Sequence, residues 1–178
     1  MGKKMNGRKM MNKKVVIFGP DNSGKTTLTL QLGKKYNLEI IKSLGIVPRN
    51  KQLKYMEEMT KKENIVFDRY PIIEETVCGK IFRNHSNFEG FENDTNIRKY
   101  LDKIDLFIFC NPGLESILNF GSREQMNGVK ENIFELYNGY IIFYKWLFIN
   151  KYNVIEYNWN LEKDGMKKIE RRLMNNEY

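Results

Sequence analysis

The chain has 178 residues, of which 41% are hydrophobic and 29% charged, and its formal net charge is +8 at pH 7. This length suits one compact domain with a substantial core and is too short for two full domains. No apolar run approaches the roughly 18 residues that a membrane span needs, and the basic N-terminus lacks the apolar core of a secretion signal. We therefore expect a cytoplasmic protein without a membrane partner.

The positive charge is concentrated at the N-terminus. Six basic residues and no acidic residue lie at or before the start of the first predicted strand: Lys3, Lys4, Arg8, Lys9, Lys13 and Lys14. We interpret residues 1–13 as a flexible basic tail, and because charge elsewhere is mixed, we expect no stable nucleic-acid partner. The chain has no alanine and is rich in lysine, asparagine and isoleucine. Such a bias is typical of AT-rich coding sequences, including viral ones. A viral protein of this kind would be located in the cytoplasm of the host cell.

Strands alternate with helices along the rest of the chain. Apolar runs predict five strands, at 14–18, 38–41, 65–67, 106–110 and 153–157. The stretches between and after them predict helices at 25–36, 52–62, 73–82, 95–103, 114–119, 129–149 and 161–174. Because alternating strands and helices require crossover connections, we expect an α/β fold with a five-stranded, mainly parallel sheet and helices on both faces.

A phosphate-binding pattern follows the first strand at once. The sequence GPDNSGKT at 19–26 fits G-x-x-x-x-G-K-[ST], in which glycines let backbone N–H groups line one concavity at the start of a helix. We expect Lys25 to reach the β- and γ-phosphates of ATP and the Thr26 hydroxyl to bind Mg²⁺. The residues expected to hold the phosphates are Gly19, Asn22, Ser23, Gly24, Lys25, Thr26 and Thr27.

Charged residues follow the third strand, at the sheet edge where open α/β proteins bind ligands. Asp68 can bind Mg²⁺ or accept a substrate proton, and the Arg69 guanidinium can bind a second phosphate. The alternative is a buried ion pair at the strand end. Arg49 and Arg123 are further candidates for stabilising a phosphoryl group, and for each the alternative is a solvated surface residue.

Few other side chains suit catalysis. Cys78 and Cys110 are expected to be reduced thiols rather than a disulfide. His85 is the only histidine and lies in the polar segment 84–94, which we expect to be a surface loop. A zinc site of cysteines and histidines is therefore not expected, and any catalytic metal should have oxygen ligands.

Taken together, these motifs resemble the thymidylate kinase branch of the nucleoside-monophosphate kinases, and most closely the deoxynucleoside-monophosphate kinases of bacterial viruses. The resemblance rests on GPDNSGKTT (19–27), FDRYP (67–71), DLFIFCNP (105–112), REQMNGV (123–129) and EYNWN (156–160). It implies the P-loop kinase fold, a three-layer sandwich, in one domain over 14–178 with a lid segment around 120–129. Kinases of this kind are often dimers, so a homodimer is a possible state.

The resemblance also implies where the acceptor binds. Asp21 matches the acidic loop residue that orients the acceptor, and Arg69 matches the arginine that holds the acceptor phosphate. Arg49 and Tyr70 would complete the acceptor site. Tyr55, Phe82 and Phe88 are other aromatic residues able to stack on a base.

Catalytic and donor roles are implied in the same way. Asp68 would lie near the metal, and Arg123 would close with the lid over the transferred phosphoryl group and help to exclude water. The expected catalytic residues are Lys25, Asp68, Arg69 and Arg123. Asn158 and Trp159 would contact the adenine of ATP.

The implied activity is ATP- and Mg²⁺-dependent phosphorylation of a deoxynucleoside monophosphate, with dTMP or dUMP favoured. The segment 73–78 lacks the glutamine with which thymidylate kinases read a pyrimidine, so the acceptor base stays open. One alternative is a deoxynucleoside kinase, although those enzymes usually carry glutamate where this chain has Asp68. Another is a nucleic-acid-binding protein or polynucleotide 5′-kinase, which the basic charge favours.

Overall fold

A computed structural model describes residues 12–45, 47–119, 128–161 and 163–175, and the structural statements below refer to them. The strands are β1 (Lys14–Phe18), β2 (Glu39–Lys42), β3 (Ile65–Asp68), β4 (Leu106–Cys110) and β5 (Val154–Tyr157). They form one parallel sheet in the order β2-β3-β1-β4-β5. The predicted sheet is confirmed, with every strand end within one residue of its predicted place.

Helices connect and flank these strands. Within the described ranges they are α1 (Lys25–Tyr36), α2 (Arg49–Met59), α3 (Pro71–Glu74), α4 (Lys80–Arg83), α5 (Thr95–Leu101), α6 (Leu114–Asn119), α7 (Ile133–Ile149) and α8 (Gly165–Asn175). A π-helical turn, Glu75–Gly79, joins α3 to α4, and a 3₁₀ helix, Phe91–Asn93, precedes α5. The predicted helix 73–82 is thus longer than expected and contains a wide turn, a feature common at functional sites.

Several predicted helix ends are wrong. Helix α2 begins at Arg49 rather than at 52, because Pro48 has extended backbone angles and forms its N-cap. Helix α7 begins at Ile133 rather than at 129, since Gly128 has a φ of +85° and turns follow it. Helix α8 begins at Gly165, four residues later than predicted.

Two hydrophobic cores lie on opposite faces of the sheet. On one face Val15 and Ile17 pack with α1 and α8, through residues such as Leu32 and Ile169. On the other face Val16 and Phe18 of the same strand pack with α2, α5 and α7. Because successive side chains of a strand point to opposite faces, this burial requires apolar residues at each of positions 15–18 of β1. The expected helical layers on both faces are confirmed.

Helix α7 supplies much of the second core. Its Tyr140 and Phe143 side chains are buried in this core, and Phe143 stacks on Phe91 with ring centroids 5.5 Å apart. Among the described residues, no helix is long and apolar enough to cross a membrane. His85 is exposed, as expected for a residue of a surface loop.

The carboxyl ends of β1, β3 and β4 lie side by side, since these three strands are neighbours in the sheet. Gly19 follows β1, Arg69 follows β3 and Asn111 follows β4. The sheet therefore brings the phosphate-binding loop and the charged residues after the third strand to one edge.

Candidate functional site

The phosphate-binding loop between β1 and α1 depends on its two glycines. Gly19 has a φ of +141°, and a Cβ atom there would lie 2.5 Å from the backbone oxygen of Cys110. Gly24, immediately before α1, has a φ of +87°. A side chain at either position would be strained, so the loop can curl in this way only with glycine. The buried Ser23 hydroxyl has no hydrogen-bond partner among the described residues, which leaves it free for a ligand.

Lys25 lies folded over this loop. Its side chain is 5% exposed, and its Nζ donates a hydrogen bond to the Pro20 carbonyl at 2.5 Å and lies 3.7 Å from Asp21 Oδ1. Burial, and then the nearby Arg69 guanidinium, lowers the pKa of Lys25, although Asp21 partly opposes this shift. A phosphate group in the loop would add negative charge beside this buried ammonium group and further stabilise its charged form.

Thr26 and Asp68 meet across the site. The Thr26 hydroxyl donates to Asp68 Oδ2 at 3.0 Å, and the other carboxylate oxygen of Asp68 is buried without a hydrogen-bond partner in the described structure. A hydroxyl and one carboxylate beside a phosphate loop are the donors that Mg²⁺ usually takes from a kinase, with phosphate oxygens and water as its other ligands. These two residues therefore fit the predicted magnesium site.

Arg69 is held between two acidic residues. Its backbone has a φ of +74°, an uncommon conformation for a residue with a side chain, and its N–H donates to the Ile17 carbonyl at 3.0 Å. One guanidinium nitrogen contacts Asp21, and the other lies 3.2 Å from Glu74 Oε2. Burial opposes the charged form, but Glu74 and Asp21 together raise the pKa of Arg69 above its ordinary value.

Glu74 is a site residue that the sequence did not single out. Besides Arg69, its carboxylate accepts a hydrogen bond from the buried Tyr140 hydroxyl at 3.0 Å, and the Cys78 thiol lies 3.9 Å away. A polar chain therefore runs from Lys25 through Asp21, Arg69 and Glu74 to α7. The only sequence signal was an acidic residue five positions after Arg69, on the first turn of a helix.

Two predicted acceptor residues have other contacts in the structure. Tyr70 is fully buried and donates to the Tyr100 carbonyl at 3.2 Å, so its side chain does not face the site, which corrects the expectation. Arg49 donates to the Asn87 carbonyl at 2.7 Å and lies 3.5 Å from Asp94. These contacts tie Arg49 to the loop before α5, and an acceptor role for it stays a prediction.

Other predicted site residues are placed less directly. Arg123 and most of the expected lid, 120–127, lie outside the described residues, as do residues 1–11 of the tail. Phe88, considered for base stacking, is 1% exposed and belongs to the core. Tyr55 donates its hydroxyl proton to the Lys42 carbonyl at 2.7 Å.

A cavity of about 320 Å³ lies beside the phosphate loop. Its lining includes Gly24, Thr27 and Gln31 on one side and Tyr157 and Trp159 on the other. The Trp159 indole N–H donates to the Ser23 carbonyl at 3.1 Å, which fixes the ring against the loop. The base of a nucleotide whose phosphates bind the loop could therefore contact Trp159. Asn158 does not line this cavity.

Comparisons with known proteins rest on solved structures, because no protein-family model and no curated protein matches the sequence. The YorR protein from Bacillus subtilis, in complex with phosphorylated GDP, superposes with a TM-score of 0.69 at 17% identity, covering 89% of this chain and 96% of that one. Deoxyadenosine kinase from M. mycoides, with dCMP and dCDP bound, gives 0.60 at 20% identity over 90% and 98%. Shikimate kinase from Acinetobacter baumannii gives 0.60 at 16% identity over 94% and 96%.

The chain has the P-loop kinase fold. Identities of 16–20% establish the fold and carry no substrate with them. Together with the five-stranded parallel sheet, this confirms the predicted fold class. The finer resemblance to thymidylate kinases and to viral enzymes rests on sequence motifs and stays a prediction, as does a homodimer.

The two cysteines give a simple test of the packing around the site. Both are free thiols, and burial raises the pKa of Cys78 and of Cys110 to about 12. At pH 8 only about one thiol in 10⁴ would be ionised, so neither should react with a thiol-specific disulfide reagent within minutes. We expect both to react once urea unfolds the chain. Rapid labelling of either cysteine in the folded protein would contradict the packing described here.

Proposed function

We propose that this protein is an ATP- and Mg²⁺-dependent kinase that converts a deoxynucleoside monophosphate, with dTMP or dUMP favoured, to its diphosphate. The observation that carries the proposal is the position of Asp21, whose carboxylate contacts Arg69 and lies 3.7 Å from Lys25. One acidic side chain thus stands between a cation on the donor loop and a cation at the end of β3, the strand beside β1 in the sheet. Two phosphate groups bound to these cations would face each other.

The donor half of the site suits ATP. Backbone N–H groups of the loop, the Ser23 hydroxyl and the buried Lys25 would bind the polyphosphate, and the cavity against Trp159 would take adenine. Thr26 and Asp68 would hold Mg²⁺. When bound, Mg²⁺ would offset the charge on the phosphate oxygens.

The acceptor half is built around Arg69. Its side chain is only 28% exposed, and its two terminal nitrogens are held by Asp21 and Glu74, so it loses little further side-chain entropy when it orients a phosphate. The YorR protein and deoxyadenosine kinase were solved with guanine and cytosine nucleotides respectively, which supports a nucleotide ligand for this fold. The preference for dTMP or dUMP comes from the sequence resemblance.

A coupled assay of ADP release with each of the eight common ribo- and deoxyribonucleoside monophosphates tests this proposal. We expect turnover to require Mg²⁺ and to be fastest with dTMP or dUMP. Replacing Arg69 with alanine should lower kcat/KM for the acceptor about 10³-fold, because a preorganised charged donor is lost. Arg171→Ala, which changes an exposed arginine of α8, serves as the control. Absence of turnover with every monophosphate would reject the proposal.

A deoxynucleoside kinase is the second candidate, and one observation favours it. One carboxylate oxygen of Asp68 has no hydrogen-bond partner in the described structure, and such an oxygen would be available as the general base for a sugar hydroxyl. The shared fold with deoxyadenosine kinase is compatible with this reaction. Assaying thymidine beside dTMP separates the two candidates, since faster turnover of thymidine would make the hydroxyl the acceptor.

A further inference from the structure

We propose that Glu74 competes with the acceptor phosphate for Arg69, and that Tyr140 sets how readily Glu74 is displaced. The proposal rests on the proposed function, because it concerns an acceptor that carries a phosphate. It assigns a role in acceptor affinity to two residues outside the sequence motifs.

Arg69 binds a carboxylate with each of its two terminal nitrogens. One terminal nitrogen contacts Asp21 and the other donates to Glu74 at 3.2 Å, so a separate carboxylate occupies each arm of the guanidinium. Arginine binds phosphate best through two parallel N–H···O bonds from such a pair of arms. An acceptor phosphate that bonds to both terminal nitrogens therefore competes with these carboxylates for them.

Of the two carboxylates bound to Arg69, Glu74 is the one that a phosphate can displace with less disturbance. Asp21 is part of the phosphate-binding loop and also lies 3.7 Å from Lys25, so moving it would disturb the donor site. Glu74 lies at the last residue of α3, directly before the π-helical turn, and is not part of the loop. We therefore assign the exchange to Glu74.

Glu74 has other hydrogen-bond donors beside it when it leaves Arg69. Its side chain is only 14% exposed, so a carboxylate released from Arg69 needs another donor. Tyr140 provides one, because its buried hydroxyl already donates to Glu74 Oε1 at 3.0 Å while Arg69 binds Oε2. The Cys78 thiol, 3.9 Å from Oε2, is a second and weaker donor. Glu74 thus keeps a hydrogen bond when the phosphate takes its place.

Two substitutions should then change acceptor affinity in opposite directions. Glu74→Gln removes the charge that competes with the phosphate, so the Kd of the acceptor should fall about three- to tenfold. Tyr140→Phe removes the donor that receives the displaced carboxylate, so the Kd should rise about three- to tenfold. A purely structural role would weaken binding in both variants and lower both melting temperatures.

Titration calorimetry with the monophosphate that wild-type enzyme turns over fastest measures these changes. Tyr152→Phe is the matched control, because it also loses a hydroxyl bond to a carboxylate, that of Asp102, at the opposite edge of the sheet. The Kd of a non-hydrolysable ATP analogue should stay within twofold in all variants. Weaker or unchanged acceptor binding by Glu74→Gln would overturn the proposal.

Glu74→Asp gives a second test in case the glutamine variant folds poorly. It keeps the charge but shortens its reach to Arg69, and tighter acceptor binding is again expected, whereas unchanged or weaker binding contradicts the proposal. The proposed function and the role of Glu74 can be rejected separately. If wild-type enzyme phosphorylates no monophosphate, the proposed function is wrong. If it does, but the variants bind as wild type does, only the role of Glu74 is wrong.

Discussion

Replacing Lys25 with methionine is expected to remove the proposed kinase activity while leaving the fold intact. Lys25 is the buried cation of the phosphate-binding loop, where its ammonium group bonds to Pro20 and lies near Asp21. Methionine has a similar length and fills the same space without a charge. We expect kcat to fall about 10³-fold or more, because the charge that develops on the transferred phosphate loses its nearest fixed cation. Steady-state kinetics at saturating ATP measures this loss.

The same variant should be at least as stable as the wild-type chain. Because burial lowers the pKa of Lys25 below its ordinary value of 10.5, the folded chain binds this proton less tightly than the unfolded chain does. The lysine therefore costs stability at neutral pH, and the cost shrinks as the pH rises toward 10.5. Urea unfolding at pH 7 and pH 9.5 should show a smaller difference between the two proteins at the higher pH.

Lys54→Met is the control for this experiment. Lys54 lies on α2 with its side chain 80% exposed, so its replacement should change neither activity nor stability appreciably. A Lys25→Met variant that keeps wild-type kcat, or that is clearly less stable at pH 7, would contradict the account of the loop.

The sheet and the phosphate-binding loop were predictable because local sequence determines both. A parallel strand buried on two faces needs apolar residues throughout, so residues 15–18 of β1 and all of β4 stand out as uninterrupted apolar runs. The loop depends on backbone conformations that only glycine adopts easily, as at Gly19. Asp68 and Arg69 could be placed beside the loop because strand ends gather at one edge of a parallel sheet.

The partners of those residues were not predictable, because they come from distant parts of the chain. Tyr140 lies 66 residues after Glu74 in the sequence. In the sequence of α7 it cannot be told apart from the other aromatic residues that pack in the core. Tyr70 follows Arg69 directly but packs inward against Phe67, with ring centroids 4.9 Å apart. No local pattern distinguishes a strand-end tyrosine that packs inward from one that faces a ligand.

A buried polar cluster around Glu75 was missed for the same reason. Glu75 is 4% exposed and accepts hydrogen bonds from the Gln52 side-chain amide at 2.7 Å, from Asn87 N at 3.2 Å and from Arg83. The cluster joins α2, the π-helical turn and the loop after α4. Gly79 leaves room for it, since a Cβ there would lie 2.8 Å from both Glu75 Oε2 and an Arg83 nitrogen.

Replacing Glu75 with leucine is expected to lower the free energy of unfolding by about 3–5 kcal/mol, because Arg83 would keep its charge in a largely buried place without its partner. Urea denaturation measures this. Arg83→Met should also destabilise, but the double variant should lose less than the sum of the two single losses, since neither charge is then left alone. Additive losses would show that Glu75 and Arg83 do not interact.

Glu57→Leu separates this effect from a general cost of losing a helical acid. Glu57 lies on α2 and pairs with Lys61 at 3.5 Å, but its side chain is 61% exposed. Its loss should cost less than about 1 kcal/mol. A comparable loss in both glutamate variants would mean that burial does not strengthen the Glu75 cluster. We expect Glu75→Leu to cost more stability than Glu57→Leu because water can replace the partner of an exposed charge, whereas it cannot reach Arg83 as freely.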